Sequence, residues 1–246
     1  MQQEQDKDTR MCKVDDKWDI YICNYTNVDE MVKDVNAVVP ENVRLIVMSG
    51  MLKNGQNLST AFNALFFGGC NFPSVVKMLE LHVCAHGQLS MIIHKMGLSD
   101  FSSLAGLKIS WTLEMADLPV LARFAISHVS LIGLDISDNA LFKSHHQNTD
   151  DETVNFCCFF RDLNCFSNVQ ELGLVQCNTA TTIIASIREA CANKVAGGDR
   201  WRIKKFFLES VNINEMPNIV GNQDAKVYRM SSSSSSDDDD EDVIID

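Results

Sequence analysis

Leu104-Ala-Gly-Leu107-Lys-Ile109-Ser-Trp-Thr112 and Leu131-Ile-Gly-Leu134-Asp-Ile136-Ser-Asp-Asn139 are two copies of one phrase, 27 residues apart. It reads apolar-x-x-apolar-x-apolar-x-x and ends on a small or polar residue. Val76-x-x-Leu79-x-Leu81-x-x-Cys84 precedes them. Val169-x-x-Leu172-x-Leu174-x-x-Cys177 and Ile203-x-x-Phe206-x-Leu208-x-x-Val211 follow. The alternation in the middle of each copy has the period of a strand with one buried face. Between Leu79, Leu107, Leu134, Leu172 and Phe206 the steps are 28, 27, 38 and 34 residues. The long steps call for insertions. One is the polar Phe142-Lys-Ser-His-His-Gln-Asn-Thr-Asp-Asp-Glu152, and the other falls in residues 192–200. Upstream, Ile20-x-Ile22 and Leu45-x-Val47 read as degraded first copies. Val43-x-x-Ile46-x-Met48 is an equally good register for the second.

Helical spacing fills the gaps. Val28, Met31, Val32, Val35 and Val38 share a face, with Asn27 and Glu30 as a capping box and Pro40 as the stop. Phe62, Leu65 and Phe66 predict a second helix, with Ser59 as its cap. Val120, Leu121, Phe124 and Ala125 predict another, capped by Asp117 and tolerant of Pro119 in its first turn. Phe156, Phe159, Phe160 and Leu163 predict the next. Ile183, Ile184, Ile187 and Cys191 predict the last, ended by Gly197 and Gly198. Strand and helix thus alternate about seven times, an order that requires parallel strands joined by right-handed crossovers.

The phrase resembles the leucine-rich-repeat family, in its irregular, ribonuclease-inhibitor-like or Cys-type forms. That resemblance implies an α/β solenoid of about seven units, with a parallel sheet on the concave face and helices on the convex face. A doubly wound open sheet shares the element order. It has no need of the same Leu-x-Leu positions in successive strands, whereas stacked units do, because those positions fill one continuous core. In the family the closing residue is usually Asn or Cys and bonds backbone groups in the turn. Here that position holds Cys84, Thr112, Asn139, Cys177 and Val211, four of which can form such bonds.

The chain has 246 residues, 46% of them hydrophobic, enough for a sizeable core. The expected organisation is a polar N-terminal tail at 1–16, the repeat domain at 17–217, a linker at 218–230 and a tail at 231–246. No apolar run approaches the roughly 20 residues of a membrane span, and Met1-Gln-Gln-Glu-Gln-Asp-Lys7 is no signal peptide. Nine cysteines without a secretion signal point to a reducing compartment, cytoplasmic or nuclear, and their odd number argues against a complete disulfide framework.

Residues 231–236 are six serines, followed by four aspartates and Glu241-Asp-Val-Ile-Ile-Asp246. Such a stretch buries too little apolar surface to offset its ordering entropy, so disorder is expected. Its seven acidic residues leave the rest of the chain at −5 out of a net −12. Ser234, Ser235 and Ser236 each have an aspartate three residues downstream, which resembles the pattern of acidophilic kinases. Val243, Ile244 and Ile245, flanked by acids, resemble a SUMO-interacting motif, a β-prone run that adds to a partner's sheet edge. A repeat body with an acidic tail also resembles the layout of the acidic leucine-rich nuclear phosphoproteins, which bind histones and other basic partners. Cys84 and Cys177 at the end of the phrase resemble the F-box type of repeat, although no F-box precedes residue 40.

Catalytic constellations are missing. His82, Cys84 and His86 alternate at strand spacing, with His94 as a possible fourth zinc ligand. Cys84, however, already has a place at the end of its phrase, so no metal is expected. Gly50-Met-Leu-Lys-Asn-Gly55-Gln-Asn57 spaces its glycines like a phosphate loop but lacks the Lys and Ser/Thr that the loop needs. Neither an enzyme nor a cofactor is expected.

Function is therefore assigned to the face of the sheet turned away from the helices. One expected row is Glu80, Lys108, Asp135, Gly173, Phe207, and its neighbour is His82, Ser110, Ser137, Val175, Glu209. Beyond them lie Trp111, Asp138, Gln176 and Ser210. Trp111 and Phe207 are the expected aromatic anchors for another protein, ringed by charges that set its specificity. Two alternatives stand beside this reading. One is a nuclear protein that binds histones or other basic proteins mainly through its tail. The other is a substrate-recognition subunit in a ubiquitin or SUMO pathway. No direct binding of nucleic acid or membrane is expected.

Overall fold

The computed structural model describes residues 9–49, 58–67, 72–82, 87–139, 168–175, 203, 205–209 and 226–230. Nine strands form one mostly parallel sheet in which spatial order follows chain order. They are β1 (Met11–Val14), β2 (Lys17–Tyr21), β3 (Val43–Ser49), β4 (Met78–His82), β5 (Gly106–Ser110), β6 (Gly133–Asp135), β7 (Glu171–Gly173), β8 (Lys205–Glu209) and β9 (Lys226–Met230). Only the β1–β2 pair is antiparallel. The order never reverses, and reversal is what marks a doubly wound sheet. The helices are α1 (Val28–Asn36), α2 (Leu58–Phe67), α3 (Phe72–Val75), α4 (Gln88–Gly97) and α5 (Leu118–Ser127).

One register line crosses the sheet: Ile20, Ile46, Leu79, Leu107, Leu134, Leu172, Phe206 and Val227 are successive Cα partners. A second joins Met48, Leu81 and Ile109. Ile20, Ile46, Leu79, Leu81, Leu107, Ile109, Leu134, Ile136, Leu172 and Leu174 are all buried in one core. Met31 and Val35 of α1, Phe62 and Leu65 of α2, Ile92 and Met96 of α4 and Leu121 and Phe124 of α5 belong to the same core. Helices α1, α2, α4 and α5 touch in that sequence, so they line one side of the sheet. Each buried branched side chain there contributes about 1.5–3 kcal/mol.

The second copy of the phrase takes the Val43-x-x-Ile46-x-Met48 register. Val43, Ile46 and Met48 are buried, while Leu45 is only half-buried. The Leu45-x-Val47 reading is corrected accordingly. An unbroken apolar run has no period of its own, so the neighbouring strands decide, through the pairing of Ile46 with Ile20 and Leu79.

Three local expectations also change. Residues 11–14 form β1 instead of lying in a polar tail, and Asp15 and Asp16, both at positive φ, make the two-residue hairpin turn into β2. Likewise β9 occupies 226–230 of the expected linker. Ser59 falls inside α2 instead of capping it. Asp117 makes no side-chain cap to α5. Its carboxylate turns back to accept from the Glu114 N–H at 2.9 Å and from the Ser90 hydroxyl. Asn27 does cap α1, accepting from the Glu30 N–H at 2.8 Å. Glu30 engages Arg10 and Thr26, so the reciprocal half of the capping box is replaced. The expected helices around 156–163 and 183–191 lie outside the described residues, as does the insertion at 142–152. Among the described residues no helix is long and apolar enough to cross a membrane.

Candidate functional site: the outer sheet face

Opposite the helices, the register places Tyr21, Val47, Glu80, Lys108, Asp135, Gly173 and Phe207 in one line. From Glu80 to Phe207 this is the first row expected from the sequence. Strand spacing puts its members about 5 Å apart. His82 and Ser110 are partners in the next row. Ser137 joins them by the same offset, and its Oγ accepts the Val175 N–H at 2.9 Å.

Charges pair along this face. Lys108 Nζ lies 3.9 Å from Asp135 Oδ2, and Lys205 donates to Glu171 at 2.8 Å. Arg44 binds both oxygens of the buried Asp19, a two-pronged contact that fixes the guanidinium. Glu80 meets His82 Nε2 at 3.0 Å. That bond holds the Glu80 carboxyl below its usual range against the upward push of burial, and the charges of Lys108, His82 and Arg44 add to the lowering. A carboxylate only accepts, so Nε2 carries the proton and Nδ1 presents its lone pair in the neutral ring.

Trp111 and Asp138 follow β5 and β6 at equivalent places. Each lies three residues past a member of the Lys108–Asp135 partner pair, with φ near +60°. The left-handed step is uncommon for such residues. It turns the chain so that the Thr112 and Leu113 N–H groups converge on the Asn139 carboxamide, which also donates to the carbonyls of Ile109, Ile136 and Ser137. Of the closing residues named from the sequence, Asn139 makes these bonds with its side chain. Cys84, Cys177 and Val211 lie outside the described residues.

Trp111 is 56% exposed, and its ring centroid lies 5.6 Å from that of His82. Met78 is exposed on the same face, over Gly106, where a Cβ would collide with the Met78 sulfur. Phe207 is half-buried. Ser110 and Ser137 are buried instead of presenting hydroxyls to solvent. Both are short: Ser110 is the register partner of the larger His82 and precedes Trp111, and Ser137 is held by Asp135. At this end of the outer face three buried polar atoms have no hydrogen-bond partner among the described residues, His82 Nδ1, Ser110 Oγ and Asp138 Oδ1; elsewhere the Tyr25 hydroxyl and Gln88 Oε1 are in the same state. The Glu80–His82 pair and these three atoms were invisible to row assignment, which gives neighbours but not rotamers.

Gln176 lies outside the described residues, as do Ser210, Cys84 and His86. So do Ser234, Ser235, Ser236, Val243, Ile244 and Ile245. Glu209 is placed at the end of β8. No group of three or more potential metal ligands occurs among the described residues. Comparison of the chain with protein-family models, with curated proteins and with solved structures finds no match.

Proposed function

We propose that this chain is a leucine-rich-repeat solenoid that acts without catalysis, holding a partner protein on its outer sheet face. The observation that carries the reading is the sidedness of the sheet. The helices cover one face, while the other leaves Trp111 and Met78 exposed among charged neighbours. An exposed aromatic on a rigid strand end, ringed by charge, is the usual composition of a binding hot spot. Co-purification from cells with the wild-type chain, with Trp111→Ala/Phe207→Ala and with Lys108→Glu/Asp135→Lys tests it. Loss of one and the same bound protein from both variants, at unchanged circular dichroism, supports the sheet face; retention by both refutes it.

The acidic tail favours a second contact. Residues 231–246 carry seven acids beside six serines, a charge density suited to basic proteins such as histones and deepened by phosphorylation. If the tail dominates, deletion of 231–246 abolishes capture and salt weakens it steeply. A role as recognition subunit in a ubiquitin or SUMO pathway would instead appear as co-purifying conjugation machinery lost with Val243, Ile244 and Ile245. A cytoplasmic or nuclear location belongs to the same reading, and fractionation of tagged cells tests it.

A further inference from the structure

We propose that the outer face takes an arginine side chain of its partner in a socket at the ends of β4, β5 and β6, bounded by Trp111, His82, Ser110 and Asp138. The inference deepens the function proposed above and rests on it. Four observations converge on the guanidinium.

First, the socket is chemically unfinished. His82 Nδ1, Ser110 Oγ and Asp138 Oδ1 are buried and without partners among the described residues, and Ser110 is only 1% exposed. Buried polar groups are normally satisfied, so three such atoms at neighbouring strand ends mark bonds left for something else to make. Second, the cluster accepts. The Asp138 carboxylate accepts only, the Ser110 hydroxyl can do either, and in the neutral ring His82 Nδ1 accepts because Nε2–H is committed to Glu80. The missing group is a multiple donor.

Third, the surroundings are anionic. Glu80, Asp135, Asp138 and Asp19 supply four carboxylates against two cations, Lys108 drawn to Asp135 and Arg44 held by Asp19. A cation is favoured over a neutral amide. Fourth, the wall is aromatic. The Trp111 ring is tilted 43° to that of His82 and half open to water, and indole is the best ring face for a cation. A planar guanidinium stacks on the open face of the Trp111 ring and still offers its N–H groups in its own plane, which a tetrahedral ammonium cannot do.

Titration of tryptophan-¹⁵N-labelled full-length protein with acetyl-Gly-Gly-Arg-Gly-Gly-amide tests this, the Trp111 indole signal being assigned by its loss in Trp111→Phe. The arginine peptide should shift that signal saturably and leave Trp18 in place. Its citrulline counterpart, the same shape without charge, should bind about tenfold more weakly, and Asp138→Asn and Ser110→Ala should each cost a similar factor. Equal binding of the citrulline or lysine peptide overturns the guanidinium assignment. A shift produced only by a Gly-Gly-Glu-Gly-Gly peptide overturns it too, while leaving the face a binding surface. No shift with any peptide, together with partner capture unaffected by Trp111→Ala, overturns the socket and the sheet-face reading alike.

Discussion

Asn139 Oδ1 accepts the Thr112 N–H at 3.0 Å, a bond between two residues 27 positions apart that hold the same place in successive copies of one phrase. It joins the turn after β5 to the turn after β6, where neither strand can supply a ladder bond. The side chain is fully buried, and five backbone groups depend on it.

Asn139→Ala therefore strands two N–H groups and three carbonyls in a buried turn. A loss of about 3–5 kcal/mol is expected, since an unsatisfied buried group costs about 1–3 kcal/mol and the turn relaxes in part. Asn139→Asp keeps the shape but loses the donors to Ile109, Ile136 and Ser137, so it rescues little. Urea unfolding followed by circular dichroism measures both. A change below about 1 kcal/mol for the alanine variant would show that the turn is held by other groups.

Gly173 lies beside Asp135 in register, and a Cβ there would run into the Asp135 carboxylate and its Cβ. Gly173→Ala should push that side chain off the neighbouring strand, breaking its bonds to the Ser137 N–H and hydroxyl and its contact with Lys108. The expected cost is about 1–3 kcal/mol, as for other overpacked sites. Because Asp135→Ala vacates the space, the double variant should recover part of that loss, and a double-mutant cycle reads the coupling.

How much of this was legible follows from where the information sits. The row from Glu80 to Phe207 could be read directly, because parallel strands with two inward apolar positions leave no other register. The same logic failed in β3, where Leu45–Met48 is an unbroken apolar run and only the partners Ile20 and Leu79 choose Ile46. Helix α4 carries buried Leu89, Ile92, Ile93 and Met96 at helical spacing, a signal that is present in the sequence alone. The β1–β2 hairpin turns on Asp15-Asp16, which lacks the glycine that usually announces such a turn. On the outer face, exposure of Trp111 followed from its place after the strand. Burial of Ser110 and Ser137 did not, since it depends on the rotamers of larger neighbours.

Glu80 gives the face a pH dependence whose sign is fixed. Its folded pKa is lowered, chiefly by the His82 hydrogen bond, so its stabilising contribution is present above the ordinary carboxylate value and is lost as pH falls through the folded one. The stability difference between wild type and Glu80→Gln should therefore shrink from neutral pH into the acid range below the usual carboxylate value. A difference that stays constant down to the acid transition would mean that the pair contributes nothing.

Tyr25 makes the opposite prediction at the alkaline end. Its ring is fully buried under the Arg10 guanidinium, which sits 5.4 Å from the ring centroid, and its hydroxyl has no partner among the described residues. Burial, with Asp34 next, pushes its pKa up from 10.0 to about 12. A raised folded value means that the contribution is intact below the unfolded pKa and is lost as pH rises through the folded one. Wild type should thus lose stability between pH 10 and about 12 in excess of Tyr25→Phe. At neutral pH the phenylalanine variant should be as stable as wild type or slightly more so, because the hydroxyl it removes is buried without a bond. Ultraviolet titration of the phenolates in both proteins checks the assignment: the highest ionisation step should be missing from Tyr25→Phe. If that step survives the substitution, the tyrosine ionises elsewhere and the proposed burial penalty is wrong.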